Sequence, residues 1–514
     1  MSTSADVSPH YTHGEILAVL AGVMLAMMLA ALDQTIVATA LPTIAGELGG
    51  LDELSWIVTA YLLTTAATTP LYGKLSDLYG RGPVIRTAIV LFVIGSLLCG
   101  LSRTVGELVF FRAIQGLGAG GLMTLAFTVI ADVVAPRERG RYQAYISSVF
   151  VLASVAGPVL GGFLTEHASW RWIFYVNLPI GIAAYVMTGR PLDRLPPPTR
   201  NPRIDVPGAV LVAGSVTCLL LALLSGGTEA PWLSWRILGL LAAGLALGAA
   251  FAIRELRAPE PIIPPRLFRG PVFTTACAAA TIATMVMLGG VTLLPLYLQA
   301  VVGVSVSQSG IYLLPLMVGI IASAVLVGRV VAATGRYRLF PGLGLGIAGT
   351  AFLLWAIAGW DEPGGPLVVF LLVVGLGLGM VMPVLTLSVQ NAVERGDLGA
   401  ATSSLAFFRT IGGAFGVALL GAVLTNDVER RLVGRVAASQ VDALLDQGIL
   451  SGEPSRILAM SRPVRAMVMD AFSASYDLVF ATAGLLCLLG LLIAAFLREL
   501  PLARRPGGQA RGAG

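Results

Sequence analysis

Fourteen windows of mainly apolar residues follow one another along this 514-residue chain, and windows of about twenty such residues are long enough to cross a bilayer as helix. They run over 16–41, 55–72, 84–102, 107–131, 143–165, 172–188, 206–225, 235–253, 272–298, 311–333, 339–358, 366–390, 400–425 and 474–497. Lipid offers no partner to a backbone N–H or C=O, so spans of this kind close their hydrogen bonds internally, as helices. Only 12% of the residues are charged. Soluble domains carry about 25%, so this chain lacks the polar surface to keep three or four such domains in water. The expected fold class is an all-α integral membrane protein with 14 transmembrane helices.

No Lys or Arg precedes Lys74, so the first window lacks the basic flank of a signal peptide and is expected to stay as a span. An even number of spans puts both termini on one side. With the tails in the cytoplasm, the inner loops and tail collect 22 positive residues, among them Lys74, Arg81, Arg86, Arg137, Arg139, Arg141, Arg254, Arg257, Arg266 and Arg269. The outer side holds Arg103, Arg171, Arg236 and six in segment 426–473, where six acidic residues balance them. The positive-inside rule favours that orientation, in a cytoplasmic (bacterial inner) membrane.

The chain repeats itself. Gly73-Lys74 and Gly80-Arg81 match Gly328-Arg329 and Gly335-Arg336 at an offset of 255, while Glu138-Arg139-Gly140, Ala144, Ser147-Ser148 and Gly157 match Glu394-Arg395-Gly396, Ala400, Ser403-Ser404 and Gly413 at 256. This predicts two six-helix bundles, 16–188 and 272–498, with spans 7 and 8 inserted in a linker at 189–271, short cytoplasmic tails at 1–15 and 499–514, and an extracytoplasmic segment at 426–473. Parallel repeats place a cargo site at their interface near the membrane midplane.

Ionisable groups at membrane depth cost roughly 2.5 to 3.5 kcal/mol each on insertion scales, so each needs a reason. Asp33, in the outer half of span 1, is the only carboxylate well inside any window, and Arg112 in span 4 lies at similar depth. An Asp facing both a cavity and a guanidinium can take up and release a proton, and can hold a proton or a cationic cargo but not both. The other reading is a permanent buried ion pair that fixes helix packing. Arg409, in span 13, is expected to snorkel or to cap carbonyls. Gln34, Tyr61 and Gln115, with Tyr297 and Gln299, are further candidates for the cavity lining.

Between spans 2 and 3, Gly73, Asp77, Gly80 and Arg81, with Asp132 at the end of span 4, put an acid, a base and an acid at one mouth, where charge-assisted bonds can latch a gate. In span 5, Ala153, Gly157 and Gly161 recur every four residues, with Pro158 and Gly162 beside them. That face is expected to let helices approach closely and to seal the two halves against each other, with a kink at Pro158. The remaining signals exclude chemistry. Cys99, Cys218, Cys277 and Cys487 sit singly in apolar runs, and the pair His10 and His13 lies in a polar tail, so no metal site or cofactor is expected. Gly116–Gly121 and Gly344–Gly349 fit the dinucleotide fingerprint but follow no strand, and no P-loop or nucleophile elbow is present, so neither an enzyme nor an ATP-driven pump is expected. No Lys/Arg-rich patch with interleaved aromatics suits nucleic acid.

Leu32-Asp33-Gln34-Thr35-Ile36-Val37, ending in Ala40-Leu41-Pro42, resembles the first-helix signature of the fourteen-helix drug:proton antiporters of the major facilitator superfamily, the EmrB/QacA-type branch. Gly73 to Arg81 is similar to its loop signature. Leu108, Arg112, Gln115, Gly116, Gly118 and Ala119 are similar to its fourth-helix signature, and Gly157-Pro158 with Gly161-Gly162 to its antiporter signature. Trp170-Arg171-Trp172-Ile173-Phe174 with Asn177-Leu178-Pro179 is similar to the opening of helix 6 in that branch. The resemblance implies the major facilitator fold and multidrug efflux of small amphipathic compounds against protons. It assigns Asp33 to coupling, Arg112 to proton relay, Asp77 and Arg81 to gating, and Asp132 to the partner of that gate. The second-half loop has Ala332 where Asp77 stands, so it is not expected to latch. Spans 9 to 13 carry no carboxylate at depth, which argues for monovalent, neutral or zwitterionic cargo. A monomer is expected, with the bilayer, protons and a small molecule as partners. A dedicated exporter of one endogenous product, or a proton-coupled importer, would share this architecture.

Overall fold

Long apolar runs in lipid must close their backbone hydrogen bonds internally and so wind into helices, and the computed structural model describes the chain over residues 13–48, 54–134, 136–192, 204–227, 230–359, 363–432 and 462–502. The first bundle contains α1 (His13–Leu48), α2 (Leu54–Tyr79), α3 (Arg81–Leu101), α4 (Val105–Val133), α5 (Pro136–His167), the single turn α6 (Trp172–Tyr175) and α7 (Asn177–Leu192). A helix pair follows, α8 (Val206–Ser225) and α9 (Trp235–Glu255). The second bundle contains α10 (Pro271–Ala300), α11 (Val306–Thr334), α12 (Leu339–Ala358), α13 (Gly365–Gly379), α14 (Val381–Ala392), α15 (Leu398–Leu432) and α16 (Arg462–Ala495).

Among the described residues, twelve spans are long and apolar enough to cross a membrane, with Gly365–Ala392 counted as one. The two expected windows not among them are those of α2, which five threonines between Thr59 and Thr69 dilute, and α5, many of whose side chains between Arg137 and Val155 lie outside the described residues. Several helices outrun their windows: α1 extends to Leu48, α15 to Leu432, and α16 begins at Arg462, so part of the expected outer segment 426–473 is helix. The rest of that segment, 433–461, lies outside the described residues, as do 1–12 and 503–514 of the two tails. Two windows are broken where a proline removes a donor and crowds the carbonyl four residues back. Pro383 does so to Gly379 at the α13–α14 break, and Pro179 to Tyr175 at the α6–α7 break. Helix α5 runs on through Pro158.

The repeat is visible in packing. In the first bundle α1 packs on α5 and α7, α2 on α4, and α3 on α4 and α7. In the second, α10 packs on α15 and α16, α11 on α13, and α12 on α13 and α16. The bundles meet through reciprocal pairs, α2 with α15 and α5 with α11. Gly80 and Gly335, matched in the sequence repeat, both adopt positive φ (90° and 74°) at the turns after α2 and α11, a conformation that Cβ disfavours. The pair α8 and α9 packs on itself and touches α2 and α15 through α8. The nucleotide-like glycines serve packing: a Cβ at Gly116 would meet Thr64 and Tyr61 of α2, and one at Gly118 would meet Phe92 and Ala88 of α3.

Candidate functional site

Polar side chains converge at two levels, one inside the first bundle and one where the bundles meet beside the α2–α3 turn. The first centres on Asp33, midway along α1 and wholly buried. Arg112 of α4 reaches it through Nη1 at 2.5 Å, and Gln115, one turn further along α4, donates Nε2 to its other oxygen at 2.8 Å. Asn177, the first residue of α7, donates Nδ2 to that same oxygen at 3.1 Å and to Ser96 Oγ at 3.0 Å. Arg112 also donates to Gln115 Oε1 (2.7 Å) and, through Nε, to the Ile57 carbonyl (3.2 Å). Its guanidinium lies 4.1 Å over the Tyr61 ring, and the Tyr61 hydroxyl donates to the Ala30 carbonyl. Every group facing the Asp33 oxygens is a donor, so α1, α4 and α7 are tied together through one carboxylate. A charge buried so deeply is held only by such complete pairing.

Of the expected cavity residues, Asp33, Tyr61, Arg112 and Gln115 do gather, but in a buried knot inside the first bundle. Gln34 is half-buried one position away, turned about 100° from Asp33 around the helix. Tyr297 is a correction: it lies in the core of the second bundle, its hydroxyl accepting from Trp355 Nε1 (3.0 Å) and its ring packed on Tyr476 and Phe480. Gln299 is another, since it donates to Ser309 near the α10–α11 turn, far from Asp33. Both lie on phases of α10 that the second bundle consumes. Asn177 was missed as a polar partner of Asp33, as was Ser96, which accepts from Asn177. Asn177 opens the quoted Asn177-Leu178-Pro179 stretch, so the Pro179-induced break just before it was the available signal.

The second level is a latch. Arg81 pairs with Asp77 (2.6 Å) and, through Nε, with Asp132 (2.7 Å), and donates to Ser76 Oγ. Asp77 then reaches across to the other bundle and accepts the backbone N–H groups of Gly399 (2.9 Å) and Ala400 (2.7 Å) in the first turn of α15. A helix N-terminus is suited to hold such an anion. Gly73 lets the helices touch: a Cβ there would lie 2.0 Å from Ser403 Oγ and 2.3 Å from the Gly399 carbonyl. Gln390 of α14 adds a further tie to the Phe127 carbonyl of α4 (3.1 Å). The segment after α9 flanks this latch on both sides, with Glu260 on Lys74 (2.6 Å) and Arg266 on Asp397 (2.7 Å). At this end the bundles are closed. Gly399 and Ala400, the receptors of the latch, were not singled out, although Ala400 and Ser403 stood in the repeat.

The small face of α5 meets α1 inside its own bundle, which corrects its expected place between the halves. A Cβ at Gly157 would strike Thr35 and one at Gly161 would strike Thr39, and Thr35 donates to the Ala153 carbonyl. A Cβ at Gly162 would meet nothing within 4 Å, and Pro158 is exposed. Far from the latch, the Arg171 guanidinium and the Trp170 indole (2.7 Å) both donate to Glu47, and these bonds hold its carboxyl below the ordinary value of 4.5. Arg409 is a fourth correction: no carbonyl accepts from it among the described residues, and its Nε is buried without a partner.

Two helical bundles joined by reciprocal contacts, with apolar outer faces, a charged knot at depth and a latch across the seam, define a multi-pass membrane transporter. The comparisons give the family. The model described as Major Facilitator Superfamily matches residues 23–417, and the chain belongs to that family. It is 40% identical over 479 residues to an uncharacterized MFS-type transporter of Mycobacterium tuberculosis strain H37Rv, covering 93% of this chain and 68% of the relative. It is 35% identical to the multidrug transporter protein MdtP of Bacillus subtilis, covering 94% and 93%. It is 33% identical to an efflux pump of Gibberella fujikuroi, covering 98% and 92%. Among solved structures, the human organic anion transporter MFSD10 superposes with a TM-score of 0.63 at 16% identity, covering 93% of this chain and 99% of that one, which speaks to the fold alone.

Proposed function

We propose that the chain is a proton-driven exporter of small amphipathic drugs or toxic compounds, crossing a bacterial inner membrane fourteen times with both termini and the latch on the cytoplasmic side. The observation that carries the reading is the buried Asp33 knot, in which one carboxylate joins three helices through Arg112, Gln115 and Asn177. A proton arriving on Asp33 neutralises the carboxylate and so weakens the charge-assisted bonds it accepts from Arg112, Gln115 and Asn177. That loosens α1 from α4 and α7, and α1 carries α5, which packs on α11 of the other bundle. Proton binding inside one bundle is thereby linked to the seam between bundles, which is what alternating access requires.

The drive is sufficient in size. A proton moving inward releases about 2.3 kcal/mol per 100 mV, and about 1.4 more for each unit of pH difference. Relatives named as a multidrug transporter and an efflux pump support export over import. The fourteen-pass count takes α2 and α5 as spans, which their place between α1, α4 and α11 supports.

The test is Asp33→Asn in everted vesicles, following dye efflux and internal pH together. The expected result is loss of pH-driven export with the protein still folded. Unchanged pH-driven export in the variant defeats the coupling role. A chemically broad cargo panel separates multidrug export from export of a single endogenous product.

A further inference from the structure

The coupling knot accounts for Asp33 and Arg112, and the latch for Arg81, but one cation at depth is used by neither. Arg409 lies on α15 ten residues beyond Gly399, about 15 Å from the latch and so near the middle of a hydrocarbon layer of about 30 Å. Three helical turns from the latch, it is too deep to snorkel to that end. The side of α15 turned outward is marked by Phe415, 47% exposed, six residues away and so about 120° around the helix. Arg409 stands instead one turn before Gly413, whose face meets Leu288 and Thr284 of α10. Its side chain is half-buried, its Nε is buried without a partner, and no ion pair or hydrogen bond neutralises the guanidinium among the described residues. The carboxylates nearest it along the chain are committed elsewhere, Asp397, just before α15, to Arg266 and Asp427 to Arg431 and Ser475.

A guanidinium kept unpaired at this depth is costly, and its planar fork of donors matches a carboxylate or sulfonate in two-point fashion. We infer that Arg409 is an anion-binding group of the cargo site, taking the carboxylate or sulfonate of an amphipathic organic anion. The inference rests on the export reading and extends its cargo beyond cations and neutral molecules. Asp33 and Arg409 then divide the work between bundles: the first bundle handles the proton and the second holds the negative end of the cargo. Export of one monovalent anion against one proton moves the equivalent of two positive charges inward. Both the membrane potential and the pH gradient drive that exchange.

The experiment uses the full chain in lipid nanodiscs, with radiolabelled taurocholate as a sulfonate, glycocholate as a carboxylate and tetraphenylphosphonium as a cation. The expected result is saturable binding of both anions to the unmodified protein, at least tenfold weaker in Arg409→Gln and partly restored in Arg409→Lys, with cation binding retained throughout. Retained cation binding also certifies that each variant is folded. Anion binding equal in Arg409→Gln and the unmodified protein, or absent from the unmodified protein, overturns the inference. So does a result in which chloride alone alters thermal stability through Arg409 while the bile-salt anions do not bind. If the anions bind through Arg409 but are not moved by a pH gradient in proteoliposomes, the export reading fails and the binding site stands.

Discussion

Asp77→Asn is expected to unlatch the closed end of the molecule, and the structure sets the size of the effect. Asp77 makes two kinds of bond. Its pairing with Arg81 lies within the first bundle and travels with it in any rigid rocking, so it contributes little to the difference between closed and open states. Its bonds from the Gly399 and Ala400 N–H groups, at 2.9 and 2.7 Å, cross the seam and exist only when the end is closed. Hydrogen bonds to a charged group contribute about 1.5 to 3 kcal/mol each, so the two together favour closure by about 3 to 6. Asparagine keeps one acceptor, worth about 1 kcal/mol as a neutral bond, and turns its amide toward the other N–H. The net loss is about 2 to 5 kcal/mol, which moves the closed-to-open ratio roughly 25- to 4,000-fold. Spin labels at Tyr79→Cys, the last residue of α2, and Arg269→Cys, two residues before α10, both exposed, report the change by double electron–electron resonance in a background lacking the native cysteines. A second, longer distance is expected to dominate in Asp77→Asn. Superimposable distance distributions in the two proteins would refute the assignment of these bonds as the closing force.

Gly73→Val is expected to hold the same end open, since its Cβ would fall 2.0 Å from Ser403 Oγ, and Ser403→Gly is expected to restore part of the short distance. Asn177→Ala removes one donor from a charged acceptor and is expected to destabilise the first bundle by about 1.5 to 3 kcal/mol, read as a lowered thermal midpoint in detergent. Tyr297→Phe is expected to cost about 1 kcal/mol through the Trp355 bond while leaving cargo binding unchanged, as measured by the same midpoint beside a binding isotherm. For Glu47, the Arg171 and Trp170 bonds lower the folded-state value, so its contribution is present above 4.5 and is lost as pH falls through the lowered value. The difference in thermal midpoint between the unmodified protein and Glu47→Gln is therefore expected to be full at pH 7 and to shrink in acid.

The helices, their approximate order and the two-fold repeat were legible because each depends on residues close in the chain. An apolar run of twenty residues has no alternative to helix in lipid, and paired motifs such as Gly80-Arg81 and Gly335-Arg336 announce equal turns wherever the bundles end up. The unusual groups were legible for the same reason, since Asp33, Arg112 and Arg409 stand out against their apolar neighbours by cost alone. What each one touches was decided only by the tertiary structure. Arg112 and Arg409 look alike in sequence, yet one lies between a carboxylate, an amide and a tyrosine ring while the other has no partner among the described residues. Asp77 reads as half of a local pair with Arg81, and only the approach of α15 gives it the two N–H groups that make it a bridge. Tyr297 reads as a cavity residue until the rotation of α10 turns it into a core. Local energetics determine which residues are costly and which segments are helix; the phase and packing of helices hundreds of residues apart determine who compensates whom.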